Sequence, residues 1–286
     1  MNRWLRRIGI AAGVLLGLVL VVALVLYSVG SSRIGRSYEI RTATMLIPTD
    51  SGAIARGAHL ARIHGCTDCH GPDLSGRVFA DEPPFRVVAS NLTRGRGGVG
   101  GQYSPETFDR AIRHGVGVDG QSLLIMPSVA FNGMSDEDVS HLIAYLQQVP
   151  PVDKELPATE VRPLGRILSA FAIDPAFEVR TGAARVTAPP PAPTVEYGEY
   201  LTSMTCAYCH GPGLEGAQPP APGSPPAPAL SAAGGWDFDG FQRTLRTGIT
   251  PDGRRLDPEF MPWALTAQMT EPELRALHAY LATLSG

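Results

Sequence analysis

The sequence predicts an all-α protein in which one apolar N-terminal helix precedes two tandem copies of a small helical domain. Three observations predict it. The 286-residue chain opens with an uncharged run from Ile8 to Val29, long enough to span a bilayer as a helix. Phe108, Arg113, Gly115, Asp119-Gly120, Met126-Pro127, Met134, Leu142 and Tyr145-Leu146 recur in order as Phe241, Arg246, Gly248, Asp252-Gly253, Met261-Pro262, Met269, Leu277 and Tyr280-Leu281, the mark of a duplicated unit. Near the end of each copy the apolar positions fall at helical spacing: Val139, Leu142, Ile143 and Leu146 in one, Leu274, Leu277 and Leu281 in the other.

Taken in order, residues 1–30 are expected to be a cytoplasmic stub and transmembrane anchor. Arg3, Arg6 and Arg7 precede the apolar run, so the positive-inside rule keeps the N-terminus in the cytoplasm and exports everything after Ser31. The rival is a cleaved signal peptide, since Ser28-Val29-Gly30 loosely resembles a cleavage site, but the apolar run exceeds a usual signal core. A tether over 31–48 leads to the first domain, 49–150, and a linker over 151–194 leads to the second, 195–286. Each domain begins with an amphipathic helix, around Gly57 to His70 and around Glu196 to His210. Each ends with a helix whose start is signalled by Ser135 followed by Glu137 and Asp138, and by Thr270 followed three residues later by Glu273. Gly57 and Gly198 allow the first helix of each unit to approach the last at Tyr145 or Tyr280. The linker is proline-rich at both ends and reads as a semi-rigid extended connector. Its middle, Leu164 to Ile173, has helical spacing and suits either a short helix packed on the first domain or a membrane-surface or partner contact. A second proline run, Pro219 to Pro228, reads as an enlarged surface loop.

The formal charge of -3 names no partner, and no basic stripe suggests nucleic acid. Four cysteines are too few for a disulfide framework in a chain of this length. All four lie in two pentapeptides, Cys66-Thr67-Asp68-Cys69-His70 and Cys206-Ala207-Tyr208-Cys209-His210, each running into Gly-Pro. This is the c-type haem attachment motif, twice. Cysteines three apart on one helical turn face the same side, so Cys66 with Cys69, and Cys206 with Cys209, can form thioethers to the two vinyl groups of one porphyrin. The histidine that follows then reaches the iron as an axial ligand. A zinc site or a redox dithiol would explain the cysteine pairs but not a histidine at the same offset in both. The expected cofactors are therefore two covalently attached haem c groups, with His70 and His210 as proximal ligands.

The sixth position of each iron is assigned to Met126 and Met261, whose thioethers are soft ligands that favour reduced iron. Met134 and Met269 are repeated too, but they sit just before helix caps, where an apolar residue packs as a staple. Met45 and Met204 are taken as packing residues, and His64 and His114 as solvent-facing or structural. Further residues are candidates for the haem surroundings. Arg113 and Arg246 could pair with propionates or be exposed helix arginines. The backbone at Ser90 and Pro228 could accept the second N–H of each histidine. Tyr103 and Trp236 could pack on a haem edge. No catalytic residues stand out.

These residues resemble the class I cytochrome c fold, and in particular membrane-anchored bacterial di-haem cytochromes c that serve as electron-transfer subunits of periplasmic dehydrogenases. In the first domain the resemblance rests on Ser90-Asn91-Leu92-Thr93, Ala111-Ile112-Arg113, Asp119-Gly120, Met126-Pro127 and Met134-Ser135-Asp136-Glu137-Asp138. The second domain lacks the Asn-Leu-Thr stretch and has the proline-rich loop instead. The resemblance implies an electron carrier rather than an enzyme, placed in the bacterial inner membrane with both haem domains in the periplasm. Its partners would be subunits of a periplasmic dehydrogenase or, alternatively, of a haem-copper terminal oxidase; a di-haem peroxidase is a third possibility, against which Met-Pro in both units argues.

Overall fold

The computed structural model describes residues 3–42, 44–182, 186–220 and 223–285. The first helix, α1 (Arg3–Ile34), is long and apolar enough to cross a membrane, with a mean hydropathy of 3.0 over its most apolar window.

The first domain begins with α2 (Ser51–Ile63), whose N-cap Asp50 accepts from the Ala53 amide at 3.0 Å, and continues into α3 (Cys66–His70). Two strands follow, β1 (Arg77–Glu82) and β2 (Phe85–Ala89). Helix α4 (Pro105–His114) starts on the Ser104 cap with proline in its first turn and stops at Gly115, which takes the left-handed conformation that glycine adopts without penalty. A short α5 (Ser128–Phe131) leads to α6 (Asp136–Leu146), capped by Ser135. The last helix packs across the first through Gly57: a Cβ there would lie 2.0 Å from the His141 carbonyl oxygen, so no side chain fits.

The second domain repeats this plan. It comprises α8 (Val195–Thr205), α9 (Ala207–His210), α10 (Ser231–Gly234), α11 (Phe238–Thr247), α12 (Trp263–Thr266) and α13 (Glu271–Thr283), after the linker elements β3 (Glu160–Val161) and α7 (Pro163–Leu168). Thr270 and Glu273 close a reciprocal capping box at the start of α13. Gly198 stands where Gly57 does, its absent Cβ 2.0 Å from the Ala276 carbonyl oxygen.

Two features depart from the sequence expectation. The all-helical frame carries a small antiparallel sheet in the order β1-β2-β3, pairing Val78 with Val88 and, beyond a bulge, Asp81 with Arg86; β3 pairs Val161 with Phe85. The linker accordingly is not an extended connector over this part, because its backbone finds partners on the first domain. The Val152 carbonyl accepts from Asn91 Nδ2 at 2.8 Å, and its amide donates to Thr93 Oγ1 at 3.0 Å. Helix α7 packs on the C-terminal end of α1, where Gly30 lies so close to the Arg166 carbonyl that no Cβ can be accommodated. Arg33 then donates to the Ser169 and Ala170 carbonyls at 2.8 and 3.1 Å. Part of the Pro219–Pro228 loop, residues 221 and 222, lies outside the described residues; beside it Ala217 and Ala227 form an antiparallel bridge.

Buried side chains of both domains belong to one apolar cluster. At their junction, Arg56 and His59 of α2 reach Glu273 of α13 at 3.3 and 2.9 Å, while Tyr200 of α8 donates to Asp138 of α6 at 2.9 Å and accepts from the Ser135 amide at 3.0 Å. Leu265 of α12 packs against Gly65, immediately before α3, and α5 packs against α8 and α9.

Candidate haem sites

Each CxxCH segment is a single helical turn that starts after the first long helix of its domain and ends at a glycine with positive φ, Gly71 at 84° and Gly211 at 87°. The chain then doubles back tightly, so that the Gly76 amide returns to the His70 carbonyl at 2.7 Å and the Gly216 amide to the His210 carbonyl at 2.8 Å. Within each return a leucine is held at positive φ, Leu74 at 58° and Leu214 at 59°. That conformation is unfavourable for a residue with a side chain. Both leucines are buried, and each carbonyl accepts from the segment behind the histidine, from the Leu92 amide at 2.8 Å and the Leu230 amide at 2.9 Å. Nothing in the leucine codons of the two loops signals this; only the repeat of Leu-x-Gly at one distance from each histidine hints at it.

These returns put a carbonyl behind each imidazole. His70 Nδ1 donates to the Ser90 carbonyl at 2.8 Å, and His210 Nδ1 to the Pro228 carbonyl at 2.7 Å. With the proton held on Nδ1, the lone pair of Nε2 is free to bind a metal. Burial pushes the His70 pKa down, against the Ser90 hydrogen bond, which favours the neutral ligand form.

His70 opens on a cleft whose walls are the aliphatic side chains Leu92, Ile112, Leu142 and Leu146, with Phe131. Cys66, Met126 and Met134 also line it. Burial raises the Cys66 thiol to about 12, with Cys69 adding to the shift, and the Cys206 thiol to about 11. None of the four cysteines is in a disulfide, and no group of three or more metal-ligating side chains occurs among the described residues, so the cysteine pairs do not converge on one zinc site.

The cleft contains one residue for which the sequence left two roles open, and the structural one holds. His64 is 8% exposed rather than solvent-facing, lines the cleft, packs edge-on against Phe131 at 5.9 Å, and finds no hydrogen-bond partner for either ring nitrogen. Burial pushes its pKa down to about 4. An apolar cleft lined by His70, by the thioethers of Met126 and Met134 and by the attachment cysteine Cys66, with an orphaned imidazole facing in, fits a large planar apolar group that carries a metal. That is the chemistry of haem c.

The arginines bind the chain of their own domains. Arg113 is 3% exposed because its guanidinium is paired with Asp109 at 2.5 Å and Asp136 at 2.7 Å and donates to the Met134 carbonyl at 3.1 Å. Arg246 donates to the Ala267 carbonyl in the corresponding stretch. Both clamp the segment between Met-Pro and the last helix. His114 is buried, with Nδ1 donating to the Arg180 carbonyl at 2.6 Å. Tyr103 packs on Phe108 at 5.0 Å, outside the lining of the first cleft, and Trp236 packs on the second domain's core. Met134, Met269 and Met204 are core residues, while Met126 and Met45 are only partly buried against that core.

A duplicated helical unit with a histidine-bearing CxxCH turn and an apolar cleft defines a protein of c-type haem domains. Comparison with known families agrees. The family described as Cytochrome c matches residues 195–285, and the family described as Cytochrome C oxidase, cbb3-type, subunit III, matches residues 52–146. Among relatives, the fructose dehydrogenase cytochrome subunit of Gluconobacter japonicus is 30% identical over 74% of this chain and 49% of its own length. The alcohol dehydrogenase (quinone) cytochrome c subunit of Gluconacetobacter polyoxogenes is 31% identical over 78% of this chain and 48% of its own. The diheme cytochrome c-type protein of Cereibacter sphaeroides is 26% identical over 91% of this chain and 95% of its own. The chain thus spans about half the length of the first two relatives and nearly all of the third. It is built of two cytochrome c domains that carry two haem c groups, and such domains transfer electrons rather than catalyse reactions on a substrate.

Proposed function

We propose that this protein is a membrane-anchored relay that passes single electrons through two haem c sites, as the cytochrome subunit of a periplasmic dehydrogenase. The observation that carries the proposal is the buried junction, which sets the methionine loop of the first domain against the attachment helix of the second through α5 and α9. Bound haem c supplies a one-electron couple. In this assignment Cys66 and Cys69 hold the first group covalently and Cys206 and Cys209 the second. His70 and Met126, and His210 and Met261, supply the axial donors. The carbonyls of Ser90 and Pro228 keep each imidazole oriented, and the aliphatic walls exclude water, so each site reorganises little when its charge changes.

The anchor is proposed to be retained, with the N-terminus in the cytoplasm and the haem domains in the periplasm. The grip of Arg33, Arg166 and α7 on the end of α1 supports this, since a removed leader has no need of built contacts with the mature fold. The names of the relatives above support a dehydrogenase as the donor. The family match over residues 52–146 favours a second reading, an electron-entry subunit of a terminal oxidase. Gentle purification of the tagged protein from its native membranes, with mass spectrometry of what accompanies it, separates the two. A stoichiometric dehydrogenase subunit is the expected result; oxidase subunits would replace the first reading by the second. Electron paramagnetic and optical spectra test the sites themselves: two six-coordinate Met/His haems are expected, and a five-coordinate or bis-histidine haem in the resting protein contradicts the ligand assignment.

A further inference from the structure

Glu178 lies in the connector between the domains, is 2% exposed, and has no part in either haem site as described. Its Oε1 accepts from the Tyr208 hydroxyl at 2.5 Å and its Oε2 accepts from the Val129 amide at 3.1 Å. Tyr208 is the second variable residue of the attachment pentapeptide Cys206-Ala207-Tyr208-Cys209-His210, and Val129 follows Met126-Pro127 at the start of α5. One carboxylate therefore bridges the methionine-bearing loop of the first domain and the attachment helix of the second. Burying a carboxylate is costly unless it is hydrogen-bonded, and here each oxygen accepts one hydrogen bond. The backbone is shaped for it as well: Gly115 presses on the Glu178 carbonyl so closely that a Cβ would lie 2.7 Å from its oxygen. Burial raises its pKa, while the Tyr208 and Val129 hydrogen bonds and nearby Arg180 oppose that. The first pentapeptide has no such device, because the residue matching Tyr208 is Asp68, which is exposed.

We propose that Glu178 is the positioning residue of the junction, holding the methionine loop of the first domain and the attachment turn of the second in one fixed relation, with its charge set closest to the second attachment turn through Tyr208. This rests on the two-haem relay described above. A negative charge favours the ferric form, so it lowers the midpoint potential of the nearer haem.

The test compares Glu178→Gln and Glu178→Ala in the full-length membrane protein, by redox titration at alkaline pH and by hydrogen exchange at the Val129 amide. Glu178→Gln keeps both contacts, its amide oxygen accepting from Val129 and its NH2 donating to the Tyr208 oxygen, but removes the charge. The expected result is an upward shift of the second haem's midpoint that exceeds any shift of the first, with Val129 exchange as in wild type. In Glu178→Ala the Val129 amide is expected to exchange at least tenfold faster, with the second midpoint raised as in Glu178→Gln. Unshifted midpoints in Glu178→Gln, or wild-type exchange in Glu178→Ala, overturn the proposal. Fewer than two one-electron waves in wild type overturn the relay instead, and the strut is then decided by exchange at Val129 alone.

Discussion

At their junction the two domains occupy matching places with different chemistry. Arg56 and His59 stand where the second domain has Tyr197 and Tyr200, each pair flanking the glycine that lets two helices touch. Facing them are the acidic third residues of the partner domain's last helix, Glu273 against Arg56 and His59 and Asp138 against Tyr200. Arg56 also joins the two halves of this network, binding Asp138 at 3.3 Å and donating to the Tyr197 hydroxyl at 3.1 Å. The duplicated frame thus meets itself through matching positions, and there the groups that close it have diverged. What holds a haem site has been kept, whereas what holds the sites together has differentiated.

The comparison is broken most severely by emptying one site. Changing Cys66 and Cys69 to alanine should leave one covalent haem per chain, and changing Cys206 and Cys209 should leave the other; intact mass would show it, and a chain still carrying two groups would refute the attachment assignment. Next come the paired glycines. Gly57→Ala or Gly198→Ala drives a Cβ to 2.0 Å from a carbonyl oxygen of the last helix, and each should destabilise its domain by about 3 kcal/mol, measured by denaturant unfolding. A cost at only one of them would show that the two helix crossings are not equivalent.

The axial ligands sharpen the comparison without breaking the fold. Met126→His or Met261→His should lower the potential of its own haem by on the order of 100 mV, about 2 kcal/mol for one electron, without releasing it. Met134→Leu and Met269→Leu should leave both potentials in place. An unchanged potential in both histidine variants would show that the methionines are misassigned.

The smallest effect is expected at the junction. Glu273→Gln removes the anionic partner of Arg56 and His59 and should cost about 2 kcal/mol, below the usual range for a buried pair because Arg56 and His59 keep some access to water. Burial alone would raise the Glu273 pKa, but hydrogen bonds with His59 and Thr270 outweigh it and hold the group at about 2, below its ordinary 4.5. A depressed carboxyl pKa stabilises the folded state above about pH 4.5, and that stability is lost as pH falls towards 2. Thermal melts over this acid range should therefore be flatter for Glu273→Gln than for wild type, and parallel curves would refute the linkage.

Much of the frame was legible because it depends on local chemistry. Ser135 and Thr270 mark helix starts by offering a side-chain oxygen to free amides, and both caps form. Gly57 and Gly198 announce close helix crossings because hydrogen is the only side chain that fits. The sheet was less legible, since β3 contributes two residues whose pairing depends on the linker folding back. Arg113 was misjudged for a similar reason. Its partners Asp109 and Asp136 lie on different elements, and a helix arginine gives no sign of being buried until those elements meet.

By itself, the sequence determined the apolar helix, the helix caps and the two attachment turns, because each follows from residues within a few positions of one another, and the duplication, because the same local patterns recur in the same order. The tertiary structure turned the carbonyls of Ser90 and Pro228, offered by the sequence as candidates, into contacts behind the histidines, and it alone decided that the linker braces the first domain and that Glu178 bonds both domains. Those contacts bridge residues far apart in the chain, and whether a polar group finds its partner there is settled by packing rather than by any local preference.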